Sequence, residues 1–206
     1  MKNSKKRIAI LIVLALVYGL AIGGTIAYLT AQSDPVTNTF TVGAIEIILQ
    51  EHDDGTSTGD VLDEGEGRDG IKVIPGATVA KDPFVTVLEG SEKCYVYVKV
   101  VNNLVVGDEN VSELTVGEGW SVVDSSDDDG VVTTLYVYDD VVDAADDDVV
   151  LDPVFTAVTI DGDVSSEGLE DLNGKTIVVT AYAHQSENTD SDTAEAAALA
   201  WAGLDD

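Results

Sequence analysis

Short runs of alternating apolar residues, each closed by a turn signal, recur from Val36 to His184, and a chain punctuated in this way is bound to form antiparallel sheet. Alternation is cleanest from Cys94 to Val101, where Cys94, Val96, Val98 and Val100 share one face, and from Thr176 to His184. There Ile177, Val179, Ala181 and Ala183 fall on one side and Val178, Thr180, Tyr182 and His184 on the other. Pro83 to Leu88 and Cys94 to Val101 read as a hairpin around Gly90-Ser91-Glu92-Lys93. Trp120 to Val123 and Val131 to Tyr138 read as a second, with Asp124 to Gly130 as an acidic turn. Ile71 to Ile74 is short and apolar, and Pro75-Gly76 after it predicts a turn in which proline fixes φ and glycine takes the positive φ. Val149 to Ile160 is a strand broken or edge-placed at Pro153, which cannot donate to a ladder. About eight short strands predict an all-β fold, an antiparallel β-sandwich.

One segment departs from this pattern. Ala194, Ala197, Ala198 and Trp201 recur at helical spacing, Asp192-Thr193-Ala194-Glu195 can form a capping box, and Gly203 ends the run. A short C-terminal helix over 192–203 is expected, packing its Trp201 face on the sheets. Residues 51–70 form an acidic, Gly-rich insertion with too little apolar content for a core, hence a surface loop around a flexible hairpin tip.

The N-terminus is an export signal. Lys2, Lys5, Lys6 and Arg7 precede an apolar run from Ile8 to Ile22, shorter than the ~20 residues a membrane span requires. Thr25 and Ala27 are small residues suited to a signal-peptidase site, which puts cleavage between Ala27 and Tyr28; a retained anchor is the alternative. Contact with the membrane is then confined to export. Removing the first 27 of 206 residues leaves 179, enough for one domain spanning 28–206. It also removes four of ten basic residues and none of 39 acidic ones, leaving a formal charge of −33. Such a surface repels nucleic acid and anionic bilayers. Divalent cations, basic proteins or cationic polymers suit it better, or the charge serves solubility alone. Cys94 is the only cysteine, so no internal disulfide can form, and its phase with Val96 marks it as a small buried hydrophobe.

After the signal comes a polar leader, then a change of phase. Val36, Phe40 and Val42 are apolar at even positions, whereas Ile45, Ile47 and Leu49 are apolar at odd ones, with Gly43 between. A bulged or bent strand over 39–49 accounts for this, since one extra residue restores the buried face. The junction Gly23-Gly24-Thr25-Ile26-Ala27, about a dozen polar residues, then Phe40-x-x-Gly43-x-Ile45-x-Ile47 resembles the start of the TasA/CalY (camelysin) family of exported matrix proteins. Farther on, only Pro75-Gly76 between two apolar runs continues the likeness. The resemblance implies processing by a signal peptidase of the SipW type and a jelly-roll-like β-sandwich. It also implies self-association into extracellular biofilm-matrix fibres, an N-terminal segment of one subunit completing the sheet of the next. Residues 28–42 would be that donor segment, with Val36, Phe40 and Val42 as its knobs and Gly43 as its bend. An intramolecular first strand with a loose leader is the plainer alternative.

The resemblance also brings a metallopeptidase activity, for which the residues offer little. His-Glu-x-x-His is absent, and His52 and His184 stand far apart in sequence. Neither a Gly-x-Ser-x-Gly elbow nor a phosphate-binding glycine motif occurs, so no catalytic residues are assigned and no cofactor is required. Calcium is the one ion the pattern invites. Ser125 to Gly130 imitates the start of an EF-hand loop but has Tyr136 at its twelfth position. Asp127 and Asp129 could bind the ion together with Asp146 and Asp148, or both clusters could be solvated turns. Tyr95, Tyr97, Tyr136, Tyr138 and Tyr182 could form a ligand platform or ordinary cross-strand pairs. Three functions therefore stand open: a secreted fibre subunit, a monomeric surface adhesin or cation-binding module, and a secreted metallo-endopeptidase.

Overall fold

The computed structural model describes residues 43–64, 66–68 and 72–205. Among them the chain forms strands β1 (Ile47–Gln50), β2 (Thr78–Ala80), β3 (Phe84–Val87), β4 (Cys94–Asn102), β5 (Val105–Val106) and β6 (Glu109–Asn110). These are followed by β7 (Ser112–Val116), β8 (Trp120–Asp128), β9 (Val131–Tyr138), β10 (Val149–Val150) and β11 (Phe155–Ile160). Helix α1 (Ser166–Asp171), strand β12 (Ile177–Gln185) and helix α2 (Ser191–Ala202) complete the chain. The fold is mostly β, and every strand pairing is antiparallel.

Four strands form one sheet in the order β12-β4-β9-β8, and two three-stranded sheets run β1-β3-β10 and β2-β11-β7. The two smaller sheets continue one another across a break at Pro83 and Pro153, because neither proline can donate there. Backbone bonds from Lys81 N–H to the Thr156 carbonyl and from Val154 N–H to the Pro83 carbonyl carry the chain over the gap. Alternation dictates what faces what. The even residues of β4, Cys94, Val96, Val98 and Val100, are buried against Val85, Val87, Phe155 and Val158 of the smaller sheets. Each fully buried valine of this kind is worth about 1.5–3 kcal/mol. On the opposite face Tyr97 and Leu135 are covered by Ala194, Ala198 and Ala202 of α2. Trp201 stacks on Tyr182 at 5.2 Å between centroids, and Lys99 Nζ lies 5.1 Å over the Trp201 ring. The tyrosines read as a platform or as packing pairs thus include Tyr97 and Tyr182 packed at 6.2 Å.

Several expectations need correction. Residues 83–101 do not form a hairpin: β3 pairs with β1 and β10, whereas β4 pairs with β12 and β9. All four residues of β3 are buried, so it needs neighbours on both sides, and the Ser91 hydroxyl and Glu92 N–H turn the link toward residues 44–46. Asp124 to Asp128 is strand rather than turn. Asp128 pairs with Val131, leaving Asp129-Gly130 at φ 49° and 81° as a two-residue turn of the primed type that matches strand twist. A bulge at Val123 shifts the phase between Val122 and Asp124, which is why the acidic residues could not be assigned to a strand by simple alternation. Among the described residues two helices are present instead of one. In α1, Ser165 caps the Gly168 N–H, and Leu169 and Leu172 reach the core.

Helix α2 begins earlier than the expected box. Its N-cap is Asp190, whose carboxylate accepts from Thr193 N–H at 2.8 Å, and Gly203 closes it at φ 76°. Thr193, through its hydroxyl and its N–H, holds the Asp190 carboxyl below its ordinary value. A depressed carboxyl stabilises the fold above its unfolded pKa and loses that contribution as pH falls through the folded one. Asp190→Ala should therefore lower the melting temperature at neutral pH, with the difference from wild type closing in acid below the usual carboxylate range. Paired thermal melts across that range check it; a difference independent of pH would contradict it.

Candidate assembly site: a sheet edge beside a cleft

The four-stranded sheet has two outer strands of nine residues each, β8 and β12. Unpaired edges template further pairing unless guarded. β8 is guarded by exposed Asp124, Asp127 and Asp128. β12 carries no charge, glycine or proline, and among the described residues no strand pairs with its outer edge.

Antiparallel pairing sends the N–H and C=O of alternate residues toward the neighbour. The Asn103 N–H bonds the Thr176 carbonyl, the Ser186 N–H bonds the Lys93 carbonyl, and the register between them is unbroken. Even residues of β12 therefore bond β4, and the backbone groups of Ile177, Val179, Ala181, Ala183 and Gln185 point outward. β1 runs beside β12. Glu92 N–H bonds the Ala44 carbonyl while Ser186 bonds Lys93, so the start of β1 and the end of β12 share one end of the molecule. Among the described residues no strand pairs with the outward groups of the first half of β12, Ile177 to Ala181.

At that half lies a cleft of about 1450 Å³. Val79, Leu104, Val158, Ile160, Leu172 and Ile177 line it with apolar surface; Arg68, Lys81 and Lys175 stand around it with Glu66 and Glu170. Three of the six basic residues beyond residue 27 thus gather at one opening. Two of them are anchored. Lys81 pairs with Glu51, a carboxylate only 6 % exposed that also accepts from Arg68 N–H at 2.7 Å, and the Arg68 guanidinium donates to the Ala80 carbonyl at 2.6 Å. His52 donates its N–H to Asp82 at 3.1 Å, sets Nδ1 at 2.7 Å from the same carboxylate, and lies 5.1 Å from the Phe84 ring. A bridge between His52 and Val61 closes the insertion above. The 51–70 stretch, expected as a loose surface tip, thus has a buried polar root.

Of the residues singled out from sequence, Thr25, Ala27, Tyr28, Val36, Phe40 and Val42 lie outside the described residues. Ile45, Ile47 and Leu49 pack on the core as their phase requires. Gly43 is not part of a strand: residues 43–46 run irregularly, bonded to residues 88–92, and β1 starts only at Ile47. Asp127 and Asp129 sit at the β8–β9 tip, where Asp127 caps the Gly130 N–H at 2.8 Å. Asp146 and Asp148 precede β10, and Asp148 accepts from Glu89 N–H at 2.7 Å. Among the described residues no three His, Cys, Asp or Glu side chains are grouped to hold a metal ion. His184 is bound to the Tyr182 hydroxyl at 2.8 Å, separately from the His52–Asp82 pair. Cys94 is fully buried, and burial pushes its thiol up to about 11, in keeping with a packing role. Sequence reasoning missed the cleft, since its walls come from strands and a helix distant in the chain; Ser165 before Leu169 and Leu172 was the available sign of α1.

Among the described residues no helix is long and apolar enough to cross a membrane. No protein-family model, curated protein or solved structure matches the chain.

Proposed function

We propose that this chain is an exported structural protein, cut after Ala27 by a signal peptidase of the SipW type. Its jelly-roll-like sandwich is the subunit of surface or matrix fibres built by strand exchange. One observation carries the proposal: among the described residues no strand pairs with the outer side of β12, an edge without Asp, Glu, Lys or Arg whose first half borders a cleft of mixed polar and apolar lining, whereas the other long edge of that sheet is lined with aspartates. An uncovered edge of that kind favours strand addition, in which backbone bonds supply affinity and alternate side chains fill a groove. The likeness of the Gly23 to Ala27 junction and of Phe40 to Ile47 to exported matrix proteins supports the same conclusion.

The test is a truncation. The chain from Tyr28 to Asp206 should form filaments visible by electron microscopy. Removing residues 28–42 should leave a soluble monomer with the same far-ultraviolet spectrum and no filaments. Filaments of unchanged number from the truncated chain would refute the proposal.

A further inference from the structure

We infer that Asn173-Gly174, in the link from α1 to β12, is a site of self-modification: the asparagine loses ammonia to become isoaspartate or aspartate, and the isoaspartate form loosens α1 from the core. The reaction needs this residue pair and water, whatever the chain assembles into. The Gly174 amide nitrogen gives up its proton and attacks Asn173 Cγ, the Cγ–Nδ2 bond breaks, ammonia leaves with that proton, and a five-membered imide remains. Water then opens the imide. Addition at Cγ returns an ordinary aspartate, whereas addition at the main-chain carbonyl leaves the chain running through Cγ as isoaspartate. The attacking nitrogen must be unhindered, and glycine sets no side chain beside it. Of the asparagines among the described residues only Asn173 precedes a glycine, the others being followed by Asn103, Leu104, Val111 and Thr189. The nitrogen must also be unbound and within reach of water. Among the described residues the Gly174 N–H donates to no backbone carbonyl, both residues are exposed, and nothing lies within 4 Å of a methyl group placed on Gly174. Asp-Gly pairs can close the same ring with loss of water, but those described are held. Gly55 N–H donates to the His52 carbonyl at 3.0 Å, Gly130 N–H to the Asp127 carboxylate at 2.8 Å, and the Asp161 carboxylate accepts from Asp163 N–H at 2.9 Å.

The consequence follows from the place of the pair in the fold. α1 has six residues, too few to persist alone, and is held by its Ser165 cap and by Leu169 and Leu172 on the core. The turn after it is closed by Lys175 N–H on the Leu172 carbonyl at 3.1 Å, with Gly174 at φ 78°. Isoaspartate puts an extra carbon into the backbone inside this turn, so that bond and the present seat of Leu172 do not both survive.

Ageing the purified protein in heavy-oxygen water tests this, with a synthetic peptide of residues 168–178 as the unstructured reference. Peptide mapping should find isoaspartate as the main product at position 173, with heavy oxygen in the new carboxylate, and no isoaspartate at Asp54, Asp129 or Asp161. An exposed link of this kind opens at close to no cost, so the rate should lie within about tenfold of the peptide's. Asn173 left intact after the peptide has converted overturns the site. So does an equal yield of acidic product from Asn173→Gln, whose longer side chain closes its ring far more slowly. For the loosening of α1, the isoaspartate fraction is compared with Asn173→Asp, which carries the same new charge on an unaltered backbone. The amides of α1 should lose protection from hydrogen exchange in the isoaspartate fraction and keep it in Asn173→Asp. If they exchange no faster in the isoaspartate fraction than in Asn173→Asp, the loosening is overturned.

Discussion

Replacing Lys81 with methionine is expected to cost about 3–5 kcal/mol, the penalty for leaving a buried charge without its partner. The side chains of Glu51 and Lys81 are only 7 % and 13 % exposed, so water cannot replace the lost ammonium at the carboxylate. Glu51 cannot simply turn outward either, because its other oxygen holds the Arg68 N–H. In a domain of this size the loss corresponds to a drop in melting temperature on the order of 10 °C. Lys81→Met combined with Glu51→Gln should recover most of it, since the amide still accepts from Arg68 and no longer carries a charge. The pair formed by Lys93 and Asp143 supplies the contrast. Both side chains are about half exposed, so Lys93→Met should leave the unfolding midpoint nearly unchanged. Urea unfolding of the four proteins checks the order. If Lys81→Met proved as mild as Lys93→Met, Glu51 would have to be hydrated, and the root of the 51–68 loop would not be the fixed wall beside β2 that it is taken to be.

That polar root marks the boundary of what residue patterns disclose. The two faces of β4 and β12 were legible because each residue's neighbours alternate by one rule along the strand: Val96, Val98 and Val179 go to one cluster, Tyr97 and Tyr182 to the other. Pro75-Gly76 was legible for an equally local reason, since Gly76 takes φ 70° and Ala77 N–H closes on the Ile74 carbonyl. Pairing partners were not. β3 looked like half of a hairpin with β4, but its four buried residues demand cover on both sides, and that cover comes from β1 and from β10, more than sixty residues onward in the chain. Glu51 looked like the start of a solvated acidic insertion, and no pattern singled out Asp82. Their burial depends on Lys81 and His52 meeting them in space, which composition and period cannot express. The cleft shares this origin, with walls contributed by β2, β11, α1 and the start of β12.

Gly117 offers the sharpest separation between local and tertiary demands. A methyl group added there would sit on the Pro153 carbonyl oxygen, where the link from β7 to β8 crosses the break between β10 and β11. Flexible side chains cannot absorb the overlap, because the opposing atom is backbone and its neighbours are held. Gly117 N–H bonds the Val154 carbonyl at 2.9 Å, and Trp120 Nε1 donates to the Asp152 carbonyl at 2.8 Å. Gly117→Ala must part the two segments and break the first of these bonds, so its cost should reach or exceed the top of the ~1–3 kcal/mol usual for overpacking. Gly67→Ala is the matched control. Nothing lies within 4 Å of a methyl group at Gly67, and there the substitution should be neutral or stabilise by up to about 1 kcal/mol by restricting the unfolded chain. Chemical denaturation of both variants reads the difference directly. Equal stability would mean that the β7–β8 link does not pass close over Pro153, and the joining of the two smaller sheets across that break would have to be redrawn.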